Sequence, residues 1–197
     1  MQRLFKFIDV YPDFATYFLI LVSLILQVLI GNKIEVVITS LSLMLPTAIT
    51  IIPINIVMKR LFKVKRPEQY YKSIRGKSIF EGSFPSFHAH LSAGGATACT
   101  LGIAIYSPES IRLISTVLAI VTAGFVSTLI SYSRVALKMH YPLDVLGGFI
   151  LGVITGLLIP LLLIPLWWKI PLIIHFTMIF IFAFLLYVIS RKHRKIR

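Results

Sequence analysis

Acidic residues are scarce in this chain: seven Asp and Glu stand against 20 Lys and Arg, a formal net charge of +13 at pH 7. Charge of either sign is sparse. Only 14% of residues are charged, against about 25% in an ordinary soluble domain. With 57% hydrophobic residues and a mean hydropathy of +0.90, a conventional soluble fold is excluded. Cys99 is the only cysteine, which rules out an intramolecular disulfide and a cysteine-rich metal site. It lies in an apolar run among small residues and reads as packing. Internal repeats and low-complexity linkers are missing too, so residues 1–197 read as a single domain. Arg3 and Lys6 precede the first apolar run as in a signal peptide, but Leu26-Gln27-Val28-Leu29-Ile30 lacks a small-x-small cleavage pattern. The run is read as a retained span.

What the chain has instead is apolar length. A membrane-spanning helix takes about 20 mostly apolar residues. Six segments qualify, at approximately 14–31, 36–58, 86–106, 111–132, 143–166 and 171–190. The expected fold is all-α: a six-helix transmembrane bundle, multi-pass in the cell membrane. Pro46 and Pro53 are expected to kink the second span. Gly148, Gly152 and Gly156 recur every four residues in the fifth, and Ala89, Ala93, Gly94, Ala96 and Ala98 crowd the third. Small residues let helix backbones approach, so these two spans are expected at the centre of the bundle. Trp167 and Trp168 read as interfacial anchors, His175 as a polar interface contact and His90 as a packing residue.

The basic residues crowd the ends of spans. Between 59 and 85, Lys72, Arg75 and Lys77 interleave with Tyr70, Tyr71, Phe80 and Phe84, a pattern suited to headgroup depth. Anionic headgroups or a phosphorylated ligand fit such placement, and no nucleic-acid recognition module remains once the spans are removed.

Three polar islands interrupt the apolar runs. The first is Lys59-x6-Arg66-Pro67, the second Pro85-Ser86-Phe87-His88, and the third Ser133-Arg134-x5-His140-x3-Asp144. The first ends span two, the second opens span three, and the third joins spans four and five. With six spans all three fall on one side of the membrane, so an active site at one interface is expected. Ser86 reads as a helix N-cap whose first-turn amides favour an anion. Pro142 suits the first position of a helix, which puts Asp144 in the first turn, able to reach back to His140. A carboxylate bonded to one imidazole nitrogen fixes the tautomer and leaves the other to attack. Arginines and a lysine suit phosphate oxygens, and a second histidine can protonate a leaving group. The islands hold too few carboxylates for a two-metal phosphatase. Taken singly, the bases of residues 59–66 cap a span and Asp144 caps a helix; it is their combination that points to phosphoryl chemistry.

Those ten island positions, Lys59, Arg66, Pro67, Pro85, Ser86, His88, Ser133, Arg134, His140 and Asp144, resemble the type 2 phosphatidic acid phosphatase superfamily, which shares its architecture with vanadium haloperoxidases. The resemblance covers about residues 55–160. It implies that His140 is a nucleophile forming a phosphohistidine, oriented by Asp144, with His88 as general acid. Lys59, Arg66, Ser86 and Arg134 would bind phosphate, while Ser133 and Pro67 shape loops. No metal and no cofactor is implied. Where the family usually has glycine, this chain has Phe87. The substrate implied is a lipid phosphate or diphosphate, a polyprenyl diphosphate first, with phosphatidic acid or phosphatidylglycerol phosphate as the alternative. A lipid phosphotransferase is a further alternative, and a non-enzymatic transporter or scaffold the reading from another class. Of the 20 Lys and Arg, 17 fall on the motif side, so the positive-inside rule points the site toward the cytoplasm. The resemblance implies an outward or lumenal face.

Overall fold

The computed structural model describes residues 22, 25–67, 82–167, 169–181 and 184. Among them all regular structure is helical: α1 Ile34–Ser42, α2 Met44–Phe62, α3 Phe87–Tyr106, α4 Arg112–Ala136 and α5 Pro142–Trp167, then a short apolar helix, α6, Leu172–Ile181. The fold is all-α, as expected. Most of the expected first span, the aromatic-basic stretch 68–81, Trp168 and the basic tail lie outside the described residues.

The expected second span is two helices. Pro46 has no N–H to offer the Ser42 carbonyl four residues back, and its ring crowds that carbonyl. The chain therefore breaks at Leu43, leaving Pro46 in the first turn of α2, where a missing donor is harmless. Thr47 Oγ1 bridges the break by donating to Leu43 O at 2.8 Å. Among the described residues three segments are long and apolar enough to cross a membrane: Ile34–Phe62, Arg112–Ala136 and Pro142–Trp167.

At 20 residues α3 has the length of a span, but its composition suits burial inside the bundle. It packs against α1, α2, α4 and α5, most extensively against α5. Glycine explains that closeness. A Cβ added at Gly148 would come within 2.5 Å of the Ser86 carbonyl, and one at Gly152 within 2.5 Å of the His90 carbonyl. Gly156 is pressed against the main chain of Gly94 in the same way. Gly152→Leu must therefore separate α3 from α5. We expect it to cost about 3 kcal/mol, read as a lowered thermal midpoint in detergent. Gly124→Ala, whose Cβ meets nothing within 4 Å, should leave that midpoint in place.

Polarity runs inside out. The buried face of α4 carries Ser115, Ala119, Ser127, Ser131, Ser133 and Arg134. Its outward face carries Leu113, Ile114, Val117, Ile120, Val121 and Phe125, all exposed. Large apolar side chains outside and small polar ones inside match a hydrocarbon surrounding, and mark a membrane protein. At the end of α5, Trp167 is buried rather than anchored at an interface, because Ser42 beside the α1–α2 break accepts its Nε1–H at 2.9 Å. His175 is buried there as well, with Nδ1 2.8 Å from the same hydroxyl.

Candidate active site

Because α3 and α5 start where α2 and α4 stop, the C-termini of α2 and α4 and the N-termini of α3 and α5 gather at one end of the bundle. The three islands meet there through main-chain bonds. Ser83 N–H donates to Val64 O at 2.7 Å, tying the residues before the second island to the first. Ser86 N–H donates to Asp144 O at 2.9 Å, tying the second island to the third.

Gly82 organises the join. Its φ of +99° lies where a side chain is strained. Its carbonyl accepts from Lys59 Nζ at 2.9 Å and from Arg66 Nε at 3.2 Å. Lys59 Nζ also lies 3.5 Å from Ser83 O. Both cations are thus buried, Lys59 at 3% and Arg66 at 9% exposure, with carbonyls offsetting part of their lost hydration.

The five-residue spacer of the third island closes on itself. Arg134 O accepts from Met139 N–H at 3.0 Å and His140 N–H at 3.3 Å, which returns His140 to the end of α4. Arg134 is buried; its Nε donates to Ser133 Oγ at 3.1 Å, and Ser133 Oγ donates in turn to Ile130 O at 2.7 Å. Pro142 opens α5 and Asp144 lies in its first turn, both as the sequence predicts.

Two expectations are corrected. Ser86 occupies the N-cap position of α3 but its side chain does not cap. Held through its own N–H on the Asp144 carbonyl, it is fully buried, and its hydroxyl has no hydrogen-bond partner among the described residues. The second concerns the imidazole and its acid. Asp144 Oδ2 stands 3.8 Å from His140 Nδ1, an ion-pair distance rather than a hydrogen bond. That oxygen instead accepts from Tyr141 N–H at 2.9 Å and, in a short bond, from Ser83 Oγ. Ser83 Oγ in turn lies 3.3 Å from His140 Nδ1. Sequence reasoning missed Ser83 because it falls outside all three motif strings. The one available signal was a small hydroxyl two residues ahead of the Pro85 turn.

His140 is 4% exposed. Burial lowers its pKa to about 4; the Arg66 and Lys59 charges act in the same direction and Asp144 opposes them. The ring is neutral at pH 7, with a lone pair available for attack. His88 is the second residue of α3, half-buried at the same end of the bundle, its ring edge-on to Phe87 at 6.0 Å between centroids. His90 lies apart, fully buried. Its Nδ1 faces Asn55 Nδ2 and its Nε2 faces Thr155 Oγ1, each at 3.3 Å, tying α2, α3 and α5 together.

The site thus gathers buried cations, one carboxylate and a neutral imidazole at one end of the bundle, an arrangement suited to a phosphate dianion. Among the described residues no group of three or more His, Cys, Asp and Glu side chains is placed to hold a metal ion. Comparison with protein families gives a match to the PAP2 superfamily over residues 16–168, which takes in all three islands and α1 to α5. No curated protein and no solved structure matches the chain.

Proposed function

This chain belongs to the PAP2 superfamily, whose members are phosphatases acting on phosphate esters, and we propose that it hydrolyses a lipid phosphate or diphosphate, a polyprenyl diphosphate first, through a phosphohistidine on His140. The observation that carries this reading is the bonded convergence of Lys59, Arg66, His140 and Asp144 at one end of a bundle with apolar outer faces.

In the first step His140 Nε2 attacks phosphorus in line with the leaving oxygen. The N–P bond forms as the P–O bond breaks, and His88 gives its proton to the departing oxygen. Lys59, Arg66, Arg134 and the Ser86 hydroxyl hold the other phosphate oxygens, whose charge is spread out in the transition state. In the second step His88 takes a proton from water, the water oxygen bonds to phosphorus, and the N–P bond breaks to release phosphate and neutral His140. The chemistry asks for no Lewis acid in this reading, because Lys59, Arg66 and Arg134 would neutralise the charge on the phosphate oxygens.

A lipid substrate is supported by the outer face of α5. Asp144 points inward at the site, while Leu143, Leu146, Ile150 and Ile154 form an exposed apolar ladder running from that end of the helix. A prenyl or acyl tail in the bilayer can lie along such a ladder with its headgroup among the cations. Three buried cations suit a diphosphate, which carries more charge than a monophosphate.

A substrate panel tests this. The full chain in detergent, with chelator present, is given farnesyl diphosphate, phosphatidic acid, phosphatidylglycerol phosphate and glucose 6-phosphate. The highest kcat/KM is expected on the prenyl diphosphate and the lowest on the sugar phosphate. Preference for the sugar phosphate would rule out the lipid reading, and release abolished by chelator would rule out the metal-free one.

A further inference from the structure

We infer that Ser83 is the positioning residue that holds the His140 ring for attack, standing between the imidazole and its acid. The inference rests on His140 being the nucleophile. Three distances carry it. Ser83 Oγ donates to Asp144 Oδ2, Ser83 Oγ lies 3.3 Å from His140 Nδ1, and the carboxylate stands 3.8 Å from that nitrogen. The last separation exceeds a hydrogen bond, so the carboxylate does not orient the ring directly.

A serine hydroxyl has one proton and two lone pairs. With its proton on Asp144 Oδ2, Ser83 Oγ meets His140 as an acceptor, and Nδ1 must carry the ring proton. That choice of tautomer leaves the lone pair on Nε2, the nitrogen on the far side of the ring. When Nε2 bonds to phosphorus the ring becomes cationic. Its Nδ1–H then leans on a hydroxyl already polarised by the carboxylate, so Asp144 stabilises the intermediate through Ser83. Among the described residues, the charged groups that act on the ring are Asp144 on this path and Arg66 and Lys59, both of which oppose the developing cation.

The side chain can be removed without freeing the loop. Ser83 is anchored by its own N–H on Val64 O at 2.7 Å, and the Gly82 carbonyl is held by Lys59 and Arg66. Ser83→Ala therefore deletes the bridge and keeps the main-chain bonds.

The experiment compares the full-length native protein, Ser83→Ala, Ser83→Thr and His140→Ala in detergent, with farnesyl diphosphate and, in parallel, phosphatidic acid as substrates. We expect Ser83→Ala to lower kcat by roughly 10- to 100-fold, the range for groups that orient an imidazole through its second nitrogen, with KM little changed. Ser83→Thr, which keeps the hydroxyl, should recover most of the loss. A purely structural role would not give that split and rescue. Native kcat in Ser83→Ala, a rise in KM alone, or a threonine variant as poor as alanine overturns the inference. If Ser83→Ala does not stay folded, Ser83→Cys, close in volume but a weak hydrogen-bonding group, takes its place with the same criteria. His140→Ala separates the two levels. Full release from it removes the nucleophile reading itself, whereas loss of release there with native turnover in Ser83→Ala removes only the positioning role.

Discussion

His140→Ala is expected to lower phosphate release by about 10⁴-fold or more, the scale on which removal of a nucleophile or its base abolishes covalent catalysis. The substitution removes the attacking atom while leaving the frame of the site in place. Met139 and His140 bond to Arg134 O through their main-chain N–H groups, which alanine keeps. Lys59 and Arg66 remain bonded to Gly82 O, so the phosphate-binding end stays assembled. The variant should therefore still bind a non-hydrolysable substrate analogue with near-native affinity, measured by calorimetry in detergent. Loss of turnover with binding retained separates a chemical role from a folding one. Near-native release from folded His140→Ala would instead place the nucleophile elsewhere.

Asp144→Asn should lower kcat by about 10- to 100-fold, the same range as Ser83→Ala, because the carboxylate acts on the ring through that hydroxyl. The geometry gives the effect a signature. Asp144 Oδ2 accepts from both Ser83 Oγ and Tyr141 N–H. An asparagine must offer its carbonyl oxygen there, since an amide NH₂ would face two donors. The bonds then survive and the charge does not. With Asp144 neutral, Lys59 and His140 lose the negative charge that acts on both. Anion binding should hold steady while kcat falls, so KM does not rise. A rise in KM with kcat preserved would mean that Asp144 serves substrate binding rather than the imidazole.

Much of this site is legible in the sequence, for a simple reason. In a helical membrane protein the chain crosses from face to face, and the parity of crossings decides which islands share a side. Lys59, Ser86, Arg134 and Asp144 sit at helix ends, and that parity alone brings them together. The glycine spacing in α5 is equally direct, because only a missing Cβ admits another backbone at such a distance. What the sequence does not carry is the hydrogen-bond geometry within the islands. Ser86 keeps the cap position without the cap bond: its N–H is held by the main chain of Asp144, 58 residues on, and its hydroxyl bonds to none of the first-turn amides. Ser83 enters the site through contacts with residues 57 and 61 positions away, which no local pattern encodes. Trp167 shows the same limit at the other end. Aromatic rings at the end of a span read as interfacial anchors until Ser42, across the bundle, supplies a buried partner.

The central claim is a covalent phosphoryl–imidazole bond, and trapping it is the most direct test. Purified protein is mixed with ³²P-labelled substrate, quenched within milliseconds into alkaline denaturant and digested for peptide mapping. Label is expected on the peptide containing His140, stable to alkali and lost in acid as a phosphoramidate is, and absent from His140→Ala. Turnover with no protein-bound label under these conditions, or label on another residue that survives in His140→Ala, would contradict it.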